Sequence, residues 1–248
     1  MKERKKNIDD IAEWYDSPSG FTKEWPKLYQ KLISFRYQAI KPYLKGKSIL
    51  EIGFANGDMT QYLFRHFEVV IGLEGGQPFI EKIKKRFPEH YKSGQLKIIH
   101  TLVENFDSED KYDVVLMSHV LEHLDNPVEI LRKLKKFVKK DGVILILVPN
   151  ANSLHRQVGV KMNILRRVDE LNEQDKKLGH KRVYTWNILK KQIIKADLKI
   201  LKFEGYFLKP LANSQIEKWF SEDLINAFYE LGNEYQEISL EILAVCQK

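Results

Sequence analysis

Three stretches of the chain hold side chains whose types and spacing could do chemistry. In Glu51-Ile52-Gly53-Phe54-Ala55-Asn56-Gly57-Asp58, a glycine-bearing turn follows an apolar run that carries a carboxylate at its end. Glycines placed there let the backbone turn sharply and let a ligand come close to the main chain. A dinucleotide-binding turn would need glycine at 53, 55 and 58, with a pyrophosphate resting on the N-terminus of the next helix. Position 55 is alanine and position 58 is Asp58, whose carboxylate repels a pyrophosphate. Another carboxylate, Glu74, closes the next apolar run, a place that suits a ribose diol. Carboxylates in place of phosphate donors favour a ligand carrying ribose, ammonium and sulfonium groups together. S-adenosylmethionine is such a ligand and NAD is not.

The second stretch, His119-Val120-Leu121-Glu122-His123, reads H-x-x-E-H, in which two histidines one helical turn apart hold zinc and a glutamate activates water. It directly follows the apolar run 112–117 and no third ligand stands out, so a peptidase is set aside and no metal is assigned. Glu122 and His123 are expected to cap and hydrogen-bond the turn. His119, at the edge where a ligand would lie, is the candidate general base or substrate contact. The third stretch is the pair of segments 150–156 (NANSLHR) and 179–185 (GHKRVYT). There His155, Arg156, His180 and Arg182, with Asn150 beside them, would suit a carboxylate or phosphate, which arginine binds through paired hydrogen bonds. His180 is the alternative proton acceptor.

These residues need elements to position them. Runs 48–52 (SILEI), 68–73 (EVVIGL), 96–99 (LKII), 112–117 (YDVVLM) and 143–148 (VILILV) are the near-continuous apolar strands of a parallel sheet covered on both faces. Between them, Phe79, Ile83 and Phe87, and Ile130, Leu131, Leu134 and Val138, keep helical spacing, and a helix is expected over 59–67. Such alternation predicts a doubly wound α/β sheet with right-handed crossovers. Leu28, Leu32, Phe35 and Ile40 predict a helix over 25–44, and Trp14, Tyr15, Phe21 and Trp25 form either an arm packed on the surface or a lid over the cofactor. Segment 150–182 is polar and basic, lacks a strand signature, and is too long for an ordinary connection. A helix over 187–195, a strand 199–205, a helix 215–231 and a strand 240–245 close the chain. One domain over 1–248 follows, with a lid or helix at 1–44, a cofactor-binding core at 45–149, a substrate-side insertion at 150–185 and a completion of the sheet at 186–248.

With Glu51, Gly53, Gly57 and Glu74 in these places, the pattern resembles the class I S-adenosylmethionine-dependent methyltransferases over roughly residues 45–150, and more loosely to the end. The resemblance implies a Rossmann-like sheet of order 3-2-1-4-5-7-6 with the last strand antiparallel, N-terminal helices and a helical insertion after strand 5. It implies that the turn, with Phe54, holds the methionine part of S-adenosylmethionine, leaving S-adenosylhomocysteine as product, and that Glu74 binds the ribose. Leu102 stands where many members carry an aspartate near the adenine, so Leu102 and Val103 would contact the ring through their backbone, with Tyr15 and Ser118 also on the cofactor. The segment 112–127 is similar to members that act on small molecules, including quinone-biosynthesis enzymes. The small-RNA 3′-end methyltransferases carry a similar Glu-x-x-Glu-His that binds a divalent ion, a likeness that would make His155 or His180 a further ligand.

Lys and Arg number 41 against 34 Asp and Glu, a formal charge of +7 that favours negatively charged partners. Cys246 is the only cysteine, which excludes an internal disulfide and a thiolate metal cluster and accords with a reducing compartment. The basic start Met1–Lys6 leads into no apolar run, and no stretch approaches the ~18 apolar residues of a membrane span, so a cytoplasmic protein is expected. The expected function is methyl transfer to an oxygen or nitrogen of a small anionic metabolite, with cell-surface polysaccharide decoration as one setting. An RNA methyltransferase and a non-catalytic S-adenosylmethionine-binding protein are the alternatives. Oligomeric state is left open.

Overall fold

Seven strands, β1 (Ser48–Ile52), β2 (Val69–Glu74), β3 (Leu96–His100), β4 (Tyr112–Ser118), β5 (Val138–Pro149), β6 (Lys199–Tyr206) and β7 (Glu241–Gln247), form one sheet in the order β3-β2-β1-β4-β5-β7-β6. The computed structural model describes residues 2–15, 17 and 20–248. β7 runs antiparallel to both its neighbours, while the pairs among β1 to β5 are parallel. The expected order, with the last strand antiparallel, therefore holds.

Alternation along each strand splits the core into two layers, because successive side chains leave opposite faces. Leu50, Ile52, Val115, Met117, Ile144 and Ile146 face one layer, where they meet Leu131 and Leu134 of the helix Pro127–Phe137 and Leu189 and Ile193 of the helix Trp186–Lys195. Ile49, Val114, Leu116, Leu145 and Leu147 face the other, against Leu28, Leu32 and Phe35 of the helix Pro26–Ile40 and Phe79, Ile80 and Ile83 of the helix Gln77–Arg86. Helices on both faces leave only the strand ends open, and the site lies at the C-terminal ends of the parallel strands.

Some boundaries differ from the sequence reading, each for a local reason. β5 begins at Val138, five residues before its apolar run, since exposed Lys139, Lys140 and Asp141 extend the ladder to the Tyr112–Val138 pair. The helix over 59–67 shrinks to Thr60–Leu63 and then breaks into turns. The single helix over 215–231 is two, Asn213–Trp219 and Glu222–Glu234, because Ser221 Oγ accepts the Leu224 N–H at 3.2 Å and starts a new helix. The insertion contains the helices Leu154–Lys161 and Glu173–Lys177, the second opened by a reciprocal cap between Asn172 and Asp175. At the start of the chain, the helix Lys2–Tyr15 lies across the ends of the parallel strands, where Ile8, Ile11 and Tyr15 line the central cavity. The Phe21 side chain lies outside the described residues. Among the described residues no helix is long and apolar enough to cross a membrane.

Candidate active site

A cavity of about 440 Å³ opens where β1, β2, β4 and β5 end, lined there by Ile52, Glu74, Ser118 and Pro149. Its volume lies within the range of small-molecule sites, roughly 300–1,000 Å³. One end is built from β1, β2 and their turns, the other from the insertion and the start of β7, with the helix Lys2–Tyr15 reaching both through Ile8 beside Gly75 and Ile11 beside Gly179.

At the first end the chain folds back on itself tightly. Gly53 has φ +73°, and a Cβ there would sit 2.5 Å from Val120 Cγ2. Ala55 also lies in the left-handed region, at φ 45°, which turns its N–H onto Glu74 Oε2 at 3.0 Å. Glu74 Oε1 accepts from Gly75 N (2.8 Å) and Gly76 N (2.9 Å), so this carboxylate ties the first turn to the second. Burial raises the Glu74 carboxyl above its ordinary range, against the pull of those three N–H groups. Leu102, Val103 and Thr101 complete this end. Of the residues assigned to the cofactor, Tyr15, Glu51, Gly53, Phe54, Glu74, Leu102, Val103 and Ser118 line the cavity. Gly57 does not; its φ of +75° and its N–H bond to Phe54 O (2.8 Å) shape the turn from behind, where a Cβ would meet Phe87 Cε2 at 2.8 Å. Asp58 is not a free charge either, since Tyr29 Oη and Arg86 Nη1 each donate to it at 2.6 Å. The case against a pyrophosphate therefore rests on Glu51 and Glu74.

Glu51 is 3 % exposed, and burial drives its carboxyl up to about 7, with Thr60 Oγ1 donating to it at 2.7 Å and with Glu74 and Asp58 adding repulsion. A cationic ligand beside it needs the ionised form. Below pH 7 binding must first remove a proton, so affinity for S-adenosylmethionine should rise with pH and then level off above 7. Calorimetric titration is expected to give about tenfold weaker binding at pH 6 than at pH 8, the ratio of the ionised fractions. A flat profile, or a slope that persists in Glu51→Gln, would remove Glu51 from the cofactor contact.

At the second end, Arg36 of the helix Pro26–Ile40 grips Glu241 at the start of β7 with Nε and Nη2 (2.6 to 3.0 Å), and Tyr206 Oη donates to the same carboxylate. His119, at φ 55°, sets Nε2 2.9 Å from Glu241 Oε2 and Nδ1 3.3 Å from Glu122 Oε1. Burial and Arg36 disfavour the charged imidazole, yet Glu241 and Glu122 outweigh them and raise its pKa. Burial opposes ionisation of Glu241 as well, but Arg36 and His119 hold it far below the usual carboxylate range. Both ring nitrogens of His119 lie within ion-pair distance of a carboxylate, although Nε2 makes no well-aligned hydrogen bond, an arrangement suited to a fixed cation.

His180 is placed differently. Its Nδ1 lies 3.2 Å from Asp175 Oδ1, and its ring meets that of His123 edge-on at 4.8 Å. His123 Nδ1 in turn lies 3.2 Å from Gly179 O, which straps the insertion to the turn after β4. Single ligand atoms of Glu122, His123 and His180 lie within 4.8 Å of one another, a donor set of the kind divalent cations use. The sequence offers His119, Glu122 and His123 with His155 or His180 as a further ligand; the donor set holds Glu122, His123 and His180 and includes neither His119 nor His155.

The remaining substrate assignments meet mixed outcomes. Asn150, His155 and Arg156 line the cavity, whereas Arg182 does not. Arg156 is 5 % exposed and bonded to Val168 O (2.6 Å), Asp175 Oδ2 (3.1 Å) and Glu170 O, so it staples the insertion together. Asn150 spends its side chain on Glu237 O, Ser239 O and Asn152 N. Arg36, Asp175, Lys209 and Glu241 line the same end and were missed from sequence. The available signal was a lone charge in an apolar stretch, as in Phe207-Leu208-Lys209-Pro210-Leu211.

A family model described as a methyltransferase domain matches residues 23–202. The ubiquinone biosynthesis O-methyltransferase of Coxiella burnetii is 23% identical over 160 residues, covering 61% of this chain and 63% of the relative, so this chain spans just under two thirds of its length. Among solved structures, an S-adenosylmethionine-dependent methyltransferase from Mesorhizobium loti matches with a TM-score of 0.62 at 14% identity, over 88% of this chain and 98% of the other. The N-methyltransferase NodS from Bradyrhizobium japonicum, solved with S-adenosylhomocysteine, matches with a TM-score of 0.60 at 10% identity, over 98% of each chain. At these identities the structural likeness speaks for the fold.

Proposed function

Because this chain belongs to the methyltransferase domain family, we propose that it carries out S-adenosylmethionine-dependent methyl transfer to an oxygen, or a nitrogen, of a small acidic molecule held at the insertion end of the cavity. S-adenosylmethionine bound at the β1–β2 end would supply an electrophilic methyl carbon and leave as S-adenosylhomocysteine. Glu51 and Glu74 fit that ligand, since both are buried carboxylates at the mouth of the Gly53 turn. Glu74 would take the ribose hydroxyls and Glu51 would face the positive charge.

The observation that carries the reading is the pairing of His180 with Asp175 in the lining of the same cavity. A carboxylate on Nδ1 leaves Nε2 as the acceptor nitrogen, the arrangement by which histidine takes a proton from a hydroxyl. His180 Nε2 would take the hydroxyl proton as the acceptor oxygen receives the methyl group, with the bonding pair left on the departing sulfur. His119, fixed between Glu122 and Glu241, would position the acceptor rather than titrate. Alignment supplies most of the rate, and effective molarities of roughly 10⁵ to 10⁸ M set its scale.

A small acceptor is favoured over RNA because the helix Lys2–Tyr15 and residues of the insertion between 172 and 181 both line the cavity, whose volume of about 440 Å³ is that of a small-molecule site. No residue of the cavity singles out a sugar. The buried, unreactive Cys246, its thiol pushed up to about 12 by burial, accords with a cytoplasmic setting, which we likewise propose. The test is transfer of label from methyl-tritiated S-adenosylmethionine to a panel of hydroxylated aromatic acids, sugar acids, amines and bulk RNA. Label in a small acid supports the reading, and label confined to RNA or to no acceptor overturns it.

A further inference from the structure

The acceptor end holds several cations, and their partners decide which of them is available to a ligand. Arg36 is held by Glu241, Arg156 by Asp175, Lys181 by Asp125 and His119 by Glu122 and Glu241. Lys209 is the exception. It follows β6 in the segment after Tyr206 and is only 6 % exposed, yet it lines the cavity, and among the described residues its ammonium has no hydrogen-bond or ion-pair partner. A buried amine without a partner is costly unless a ligand supplies one. His155 stands next to it, its N–H donating to Lys209 O at 3.0 Å and its ring Nδ1 buried without a partner.

We propose that Lys209, with His155 beside it, is the subsite that recognises a single carboxylate on the acceptor, and that this one charge sets the enzyme's preference for acidic over neutral acceptors. The inference rests on the insertion end being the acceptor site. It replaces Arg156 and Arg182, one committed to the insertion's own fold and the other outside the cavity. A monoanion matches the site because every other cation at this end already has a carboxylate, which leaves one positive charge to neutralise. A phosphate dianion would bring a surplus charge against Glu241 and Asp175.

Burial, the dominant cause, and Arg156 bring the Lys209 amine down to about 7, while Glu241 and Asp175 pull the other way. His155 is held well below its ordinary value by burial, Lys209 and Arg156, and so faces the subsite as a neutral ring. Binding of a carboxylate at pH 8 should therefore draw a proton onto Lys209.

The experiment uses the full chain saturated with S-adenosylhomocysteine and matched probes: 4-hydroxybenzoate with 4-hydroxybenzamide, 3,4-dihydroxybenzoate with its amide, glucuronate with glucuronamide, and inorganic phosphate. At least one acid is expected to bind about tenfold or more tightly than its amide, the scale of one charge-assisted contact. Lys209→Met should erase that preference and Lys209→Arg should keep part of it, with S-adenosylhomocysteine affinity unchanged within about twofold. Wild-type protein should take up a proton with the acid at pH 8, read by calorimetry in buffers of different ionisation enthalpy, a measurement that stands if the variants fail to fold. Equal binding of acids and amides, no binding of any acid, a preference that survives Lys209→Met, tighter binding of phosphate than of every carboxylate, or no proton uptake would each overturn the assignment. Methyl transfer to a neutral acceptor with no acid preference would defeat this inference while sparing the proposed reaction. An acid preference without methyl transfer would do the reverse.

Discussion

Glu74→Ala is expected to weaken S-adenosylhomocysteine binding by about 100-fold or more, measured by calorimetry. Two losses combine. The ribose would lose a charged acceptor, and hydrogen bonds to charged groups contribute roughly 1.5–3 kcal/mol each. The Ala55, Gly75 and Gly76 N–H groups would also lose their common partner, releasing the turn on which the ligand rests. About 3–4 kcal/mol in total corresponds to roughly 10² to 10³ in the dissociation constant. Glu74→Gln keeps an oxygen that can accept from part of that backbone set, and should fall between wild type and alanine. Wild-type affinity in Glu74→Ala would show that the ligand's ribose lies elsewhere.

His180→Gln is expected to lower turnover on an acceptor with a free hydroxyl by roughly 10² to 10⁴, the usual weight of a positioned acid or base. Affinity for S-adenosylhomocysteine should change little, since His180 is bonded to Asp175 in the insertion whereas Glu74 is bonded to Ala55, Gly75 and Gly76, and the two share no partner. His180 is a cleaner probe than its partner Asp175, because Asp175 also holds Arg156 and the Asn172 N–H and its loss would loosen the insertion. It is cleaner than His119 too, whose removal strands the buried Glu122 carboxylate and takes one of two cations from Glu241. An acceptor that ionises unaided, such as a carboxylate nucleophile, should show a far smaller loss in His180→Gln. Undiminished turnover on a hydroxyl acceptor would remove His180 from proton transfer.

The cofactor half of the site was legible because it is local. Glu51, Gly53 and Gly57 lie within one strand and its turn, Glu74 ends the neighbouring strand, and backbone chemistry ties the two together over a short span. The acceptor half is assembled from a helix before the sheet, the insertion, the segment after β6 and the start of β7. Arg36 and Glu241 are 205 positions apart, and nothing in either neighbourhood announces the other. Arg156 looked available because sequence cannot show Asp175 waiting 3.1 Å away, and Lys209 looked like one more surface lysine among many. The sheet order was legible through family resemblance, while the early start of β5 was hidden by polar residues that pair through their backbone and need no apolar side chain.

The most direct test of the central claim sets two ligands against the same cleft. Calorimetric titration of the wild-type chain with S-adenosylhomocysteine and, separately, with NADH asks whether the buried carboxylates select for an amino-acid nucleoside over a pyrophosphate. The predicted result is one-to-one binding of S-adenosylhomocysteine, lost in Glu74→Ala, with no heat from NADH beyond dilution. Saturable binding of NADH with S-adenosylhomocysteine silent would contradict it.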